Sequence, residues 1–161
     1  MPQQAAFVSL IKENEGIIYK ITRAYARDRE DQKDLYQEVV YQLWKSFDSF
    51  KGNSKRSTWL YRVALNTSLT YANHRNKKGH SVPLGLEVLG QLDETDTVME
   101  ERVALLYAHI KELNMIERGL ILLFLEGKSY EEIAEITGFT VTNVGTRLGR
   151  IKKKLKTKMN Q

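Results

Sequence analysis

Apolar residues recur along most of this chain at spacings of three and four, and no stretch alternates with the period of two that a half-buried strand requires. That pattern restricts the fold to packed helices. Phe7, Leu10, Ile11, Ile17, Ile18, Ile21 and Tyr25 line one face of a first helix, or of two helices broken near Gly16. Leu35, Val39, Val40, Leu43, Trp44 and Phe47 make a strong amphipathic stripe. Phe50-Lys51-Gly52-Asn53-Ser54 reads as a turn. A third helical stretch follows from about Ser57 to Asn76, through Leu60, Val63, Ala64 and Tyr71.

The periodicity then stops. Between Gly79 and Thr97 stand Gly79, Pro83, Gly85 and Gly90 among several acids, the composition of a linker. Helical spacing resumes with Val103, Leu106, Tyr107, Ile110 and Leu113. The expected fold is therefore all-α. Two small helical domains, 1–78 and 98–161, are joined by an acidic flexible linker, 79–97. A chain of 161 residues is long enough for each to bury its own core.

Charge is distributed unevenly over this plan. The whole chain carries 25 Lys and Arg against 20 Asp and Glu, a net +5. Residues 1–80 hold 14 bases and 8 acids, a net +6, whereas the rest holds 11 and 12, a net −1. Within that second part, 81–101 carries six acids and no Lys or Arg, and 147–158 carries seven bases and no acid. A helix end that basic points to a polyanionic partner. The acidic linker would be repelled by the same partner.

Several function classes drop out. Cysteine is absent, which excludes disulfides, thiol catalysis and Cys-ligated zinc. His74, His80 and His109 are scattered without metal-ligand spacing, and Glu131-Glu132 suits helix capping better than a catalytic dyad. No phosphate-cradling loop or dinucleotide fingerprint occurs. Neither an enzyme, a cofactor nor a metal is expected. No apolar run approaches the roughly 20 residues of a membrane span, and Met1-Pro2-Gln3-Gln4 lacks the basic start of a signal peptide. The expectation is a cytoplasmic protein with no direct membrane insertion.

The last third carries the sharpest local signals. Asn114 with Glu117, and Ser129 with Glu132, have capping-box spacing. The first opens a helix through Leu120, Ile121 and Phe124 that ends near Gly127. The second opens a short helix with Ile133, Ala134 and Ile136. Gly138 can end it in the left-handed conformation, Thr140 can cap the next helix, and Phe139 can pack into the angle. Short helix, glycine turn and second helix make a helix-turn-helix. Projected at about 100° per residue, Val141, Val144, Leu148, Ile151 and Leu155 share one side of the last helix. The far side holds Thr142, Thr146, Gly149, Arg150 and Lys153, flanked by Asn143, Arg147 and Lys154, with no carboxylate. Such a face reads base edges and grips phosphates. Gly145 and Gly149 each cost that helix about 1 kcal/mol relative to Ala.

A helix-turn-helix alone is shared by many regulators, so the first domain decides. Asp31-Gln32-Lys33-Asp34-Leu35-Tyr36-Gln37-Glu38, then Leu43-Trp44 and Phe47-Asp48-Ser49-Phe50-Lys51-Gly52, resembles the polymerase-binding region of bacterial sigma factors. Thr58-Trp59-Leu60-Tyr61-Arg62-Val63-Ala64-Leu65-Asn66 resembles the adjoining region that melts the promoter and reads its −10 element. Leu125 to Ala134 resembles the start of the region that reads the −35 element. In order, spacing and length the chain is similar to the extracytoplasmic-function (ECF) group of the sigma-70 family.

The resemblance implies roles for particular residues. Asp34, Leu35, Gln37, Glu38 and Gln42 would belong to the helix that docks on the β′ clamp of core RNA polymerase, with Leu35, Val39, Leu43 and Trp44 as its firm apolar back. Arg56, Trp59, Tyr61, Arg62, Asn66, Arg75, Lys77 and Lys78 would capture the melted −10 strand by stacking, by an amide at an extruded base and by charge. Thr142, Asn143, Thr146, Arg147, Arg150, Lys153 and Lys154 would read or grip the −35 duplex. The implied partners are core polymerase (β′ clamp and β flap), double-stranded and melted promoter DNA, and an anti-sigma factor, by which the family is often held inactive. Gly145 and Gly149 depart from relatives that often carry larger side chains there, so family promoter preferences do not transfer. The rival reading is a two-domain helix-turn-helix regulator with an N-terminal sensor or dimerisation domain. A linker of about 20 residues spans about 25 Å as a coil and up to about 70 Å extended. Two turns of DNA are about 70 Å, so two separate promoter elements are within reach.

Overall fold

The structure, a computed structural model, describes residues 2–48, 50, 55–78 and 97–160, with all their side chains except those of 2, 75–78 and 97. Among these residues there are eight helices and no strand, as the periodicity requires. The chain divides into two compact units, Met1–Val88 and Leu89–Gln161. The expected linker lies outside the described residues apart from Thr97.

The first unit comprises α1 (Pro2–Glu13), α2 (Glu15–Tyr25), α3 (Arg29–Phe47) and α4 (Arg56–Lys78). The first stripe is split into two helices, but at Asn14 rather than at Gly16. The Asn14 amide donates to the Leu10 carbonyl at 2.8 Å and its backbone N–H to Ile11 at 3.0 Å, which satisfies carbonyls at the end of α1. Gly16 lies inside α2. Asp28 caps α3 by accepting from the Asp31 N–H at 2.8 Å. Helix α3 packs against both α2 and α4, and Ile18, Ile21, Tyr25, Leu35, Val39, Leu43, Leu60 and Ala64 are fully buried between them. Each large side chain so buried contributes about 1.5–3 kcal/mol.

Several polar groups in this core find partners, although the buried Ser68 hydroxyl has none among the described residues. Asp31, only 4% exposed, accepts from the Arg27 N–H at 2.8 Å and from the Tyr71 hydroxyl at 2.9 Å. Gln32 donates to the Tyr19 carbonyl at 3.0 Å and to Thr22 Oγ1 at 3.3 Å. These bonds tie α2, α3 and α4 at fixed registers. The turn expected at 50–54 falls outside the described residues except for Phe50, whose N–H bonds to the Phe47 carbonyl at 3.3 Å.

The second unit comprises α5 (Thr97–Lys111), α6 (Met115–Leu125), α7 (Tyr130–Thr137) and α8 (Val141–Met159). Both capping boxes form. Asn114 accepts from the Glu117 N–H at 2.9 Å while Glu117 accepts from the Asn114 N–H at 3.1 Å. The Ser129–Glu132 pair does the same at 3.1 and 3.0 Å. Gly127, at φ +85°, lets Lys128 N–H reach the Leu123 carbonyl and its own N–H reach Phe124, closing α6 with a Schellman motif. Ile110, Leu120, Leu123, Ile133, Val144, Leu148 and Ile151 form the core. Val141 stands outside it, 43% exposed, because the first residue of α8 precedes the turn that meets α6 and α7. Among the described residues no helix is long and apolar enough to cross a membrane.

Candidate nucleic-acid and polymerase interfaces

The turn between α7 and α8 is built as its sequence demands. Gly138 takes φ +86°, and its N–H closes onto the Ala134 carbonyl at 2.8 Å. A side chain there would be strained, which is why glycine holds the position. Thr140 then caps α8 by accepting from the Asn143 N–H at 3.1 Å. Between them, Phe139 lies beneath the Arg147 guanidinium, 4.6 Å from its carbon to the ring centroid.

The outward side of α8 exposes Thr142, Thr146, Gly149, Arg150 and Lys153, with Asn143 and Arg147 half-buried along one edge. Arg150 and Lys153 take part in no side-chain hydrogen bond or ion pair among the described residues, so both charges face solvent. Lys156, nearer the end of the helix, is exposed as well, whereas Lys152, Lys154 and Lys158 are engaged. Lys154 donates to Glu117 at 2.8 Å, which draws it towards α6. Lys158 pairs with Glu112. Lys152 sits 3.9 Å from the Phe124 ring centroid and donates to the Tyr130 hydroxyl at 3.3 Å. Burial pushes the Glu117 carboxyl up, but the Lys154 hydrogen bond, the Asn114 N–H and the charges of Lys154 and Arg147 outweigh it and leave it below the usual range. Lys154 is thus placed on the flank, apart from the free cations. A Cβ on Gly145 would lie 3.5 Å from the Tyr130 ring, an ordinary contact, and one on Gly149 would meet open space.

In the first unit, α4 turns Arg56, Arg62 and Asn66 outward. Trp59 shares their side but is half-buried, with its ring centroid 5.3 Å from that of Phe50 and 6.2 Å from that of Phe47. Tyr61 does not join them. It is 8% exposed and belongs to the core, on the buried side of α4 with Leu60, Ala64 and Leu65. Thr58, the first residue of the same motif, is buried as well. The side chains of Arg75, Lys77 and Lys78 lie outside the described residues.

Helix α3 divides the expected polymerase residues. Leu35 is fully buried and belongs to the back of the helix. Asp34 and Gln37 lie on the outer side, while Glu38 accepts from Gln42 at 2.9 Å along one edge. Partial burial and the nearby carboxylates of Asp31, Glu30 and Asp28 raise the Asp34 carboxyl above its usual range. Trp44 corrects the sequence expectation. Rather than completing the apolar back, it is 42% exposed and meets α1 through an edge contact with Phe7, 5.0 Å between centroids. Tyr41, which the resemblance does not single out, is 52% exposed. Its spacing of four from Gln37 and seven from Asp34 places all three on one face, which the sequence could have revealed.

This chain matches the family model for sigma-70 region 2 over residues 10–78 and that for sigma-70 region 4 over residues 101–155. It is 28% identical to the ECF RNA polymerase sigma-E factor of Haemophilus influenzae, over 96% of this chain and 87% of the relative. It is 25% identical to the RNA polymerase sigma factor SigV of Bacillus subtilis, over 98% and 93%. Among solved structures it resembles CnrH, determined in complex with the cytosolic domain of CnrY, with a TM-score of 0.72 at 20% identity over 98% of this chain and 89% of that one. It also resembles the sigma factor RpoE of Bartonella quintana, co-crystallised with the anti-sigma factor NepR, with a TM-score of 0.68 at 21% identity over 94% and 97%. A helical unit with the region 2 pattern and a capped helix-turn-helix with the region 4 pattern occur here in one short chain, which belongs to the sigma-70 family as a sigma factor of the ECF group.

Proposed function

We propose that the outer face of α3, carrying Asp34, Gln37 and Tyr41 with Glu38 along its edge, docks on core RNA polymerase. On the same reading, Arg56, Trp59, Arg62 and Asn66 of α4 hold the melted −10 strand, and α8 reads the −35 duplex through Thr142, Asn143, Thr146, Arg147 and Arg150. Lys153 grips phosphate. The observation that carries this is the chemistry of α8: a solvent-facing side with hydroxyls, an amide and two uncommitted cations, no carboxylate, and a turn locked at both ends. Anionic DNA is the ligand such a surface accepts. Catalysis stays with the polymerase, and this chain supplies position and specificity.

The arrangement on α4 fits strand capture by a similar argument. Opening a duplex without a nucleotide cofactor requires stacking and charge to replace lost base pairing. Trp59 offers a ring backed by Phe50 and Phe47, Asn66 offers an amide, and Arg56 and Arg62 offer charge. The domain boundaries 1–78 and 98–161, with a linker between, would let the two elements be engaged together. An anti-sigma protein is a further partner on this reading, by analogy with Bartonella quintana RpoE, which was co-crystallised with the anti-sigma factor NepR. Binding of the full chain to purified core polymerase tests the docking face. Gln37→Ala and Tyr41→Ala are expected to weaken it at least tenfold without lowering the melting temperature, and unchanged affinity in both variants would remove α3 from the interface.

A further inference from the structure

The Arg147 Nε–H donates to Asn143 Oδ1 at 3.0 Å, one helical turn away. The same guanidinium lies 4.6 Å above the Phe139 ring. Phe139 is itself fixed by the turn, since its N–H donates to Thr137 Oγ1 at 3.3 Å and Gly138 before it holds the left-handed bend. A guanidinium nitrogen only donates, so this bond sets which way the Asn143 amide points. The oxygen is turned to Arg147, and the NH2 group is left for a ligand. Arg147 keeps its terminal nitrogens, also donors only. The pair therefore presents donors on the edge of α8.

An asparagine in the major groove ordinarily reads adenine by accepting from N6 and donating to N7 together. Here the acceptor half of that pattern is turned towards Arg147. Of the four base edges in the major groove, guanine alone offers two acceptors, O6 and N7, and no donor. Resting on the reading that α8 lies in the groove, we propose that Asn143 and Arg147 act as one donor-only unit, preset by Phe139, that selects guanine at one position of the upstream element. Thr146 differs from this pair. Its hydroxyl hydrogen is directed at the Thr142 carbonyl at 3.1 Å, so its oxygen and methyl group are what it shows outward. Guanine selection belongs to the Asn143–Arg147 edge.

The test is selection of duplexes from a randomised pool by the full chain assembled with core polymerase. The wild type is expected to enrich an element with one position where guanine is preferred roughly tenfold or more over adenine. Asn143→Asp keeps the shape and the Arg147 bond but replaces the donating NH2 with an accepting oxygen. It should abolish the guanine preference at that position alone, because the unit no longer offers donors only. Phe139→Leu, which keeps apolar bulk but removes the stack, should flatten that position by several-fold and leave the others. An enriched element that is identical in wild type and Asn143→Asp overturns the donor-only unit while leaving α8 as the reader. Failure of the wild type to enrich any element overturns both.

Discussion

The Tyr71 hydroxyl donates to the Asp31 carboxylate at 2.9 Å, joining α4 to the first turn of α3 across 40 residues of chain. Asp31 also accepts the Arg27 N–H and is almost wholly buried. This bond sets the register of the helix proposed to hold DNA against the helix proposed to hold polymerase. Tyr71→Phe removes one hydrogen bond to a charged acceptor, so the first unit should lose about 1.5–3 kcal/mol of stability by urea denaturation. A loss below about 0.5 kcal/mol would show that the bond is not made in solution.

Asp34 carries the opposite lesson. Its carboxyl is raised by partial burial and by neighbouring acids, so ionising it costs more in the folded chain than in the unfolded one. The stability it withholds is fully available when it is protonated and is lost as pH rises through the carboxylate range. Asp34→Asn should therefore melt higher than wild type at neutral pH, with the two converging at acidic pH. The same variant should bind polymerase more weakly. Differential scanning calorimetry across pH checks the first part, and a matching melting temperature at pH 7 would contradict it.

Two glycines should respond in opposite directions. Gly149→Ala adds a methyl group where nothing lies within 4 Å, and helix propensity predicts a gain of about 1 kcal/mol. Gly138→Ala forces a side chain into φ +86° and should cost about 1–2 kcal/mol. Thermal melts of the two variants give the signs directly. Equal shifts would mean that the turn is not left-handed.

Cations on α8 should divide by their present partners. Arg150 is uncommitted, so Arg150→Ala should weaken promoter binding and reduce the log–log salt slope by about 0.9. Lys154 is drawn to Glu117, and Lys154→Ala should change the slope by less than half as much. Fluorescence titrations at several salt concentrations separate them. Equal slopes for both variants would show that the Glu117 pair yields freely to phosphate.

How much of this was legible depended on how local the cause was. The caps at Asn114, Ser129 and Thr140 and the bend at Gly138 are dictated by residues three or four apart, so the short-range pattern carries them. The split of α1 from α2 was legible too, but Asn14 rather than Gly16 makes it, because a side-chain amide bonding to Leu10 outcompetes a glycine the helix tolerates. Trp44 and Tyr61 went the wrong way for a different reason. Apolar residues surround α3 and α4 on more than one side, so periodicity alone cannot say which aromatic meets α1 and which enters the core. Tyr71 with Asp31 depends on which helices become neighbours, and no local spacing encodes that. Arg147 with Asn143, at four residues, was open to reading, although its consequence needed Phe139 beneath it.

Run-off transcription with purified core polymerase, this chain and candidate upstream DNA tests the central claim most directly. The account predicts a discrete transcript that requires the chain and disappears with Asn66→Ala combined with Arg62→Ala, while duplex binding by α8 persists. A chain that binds duplex DNA yet yields no promoter-dependent transcript from any candidate region would contradict it.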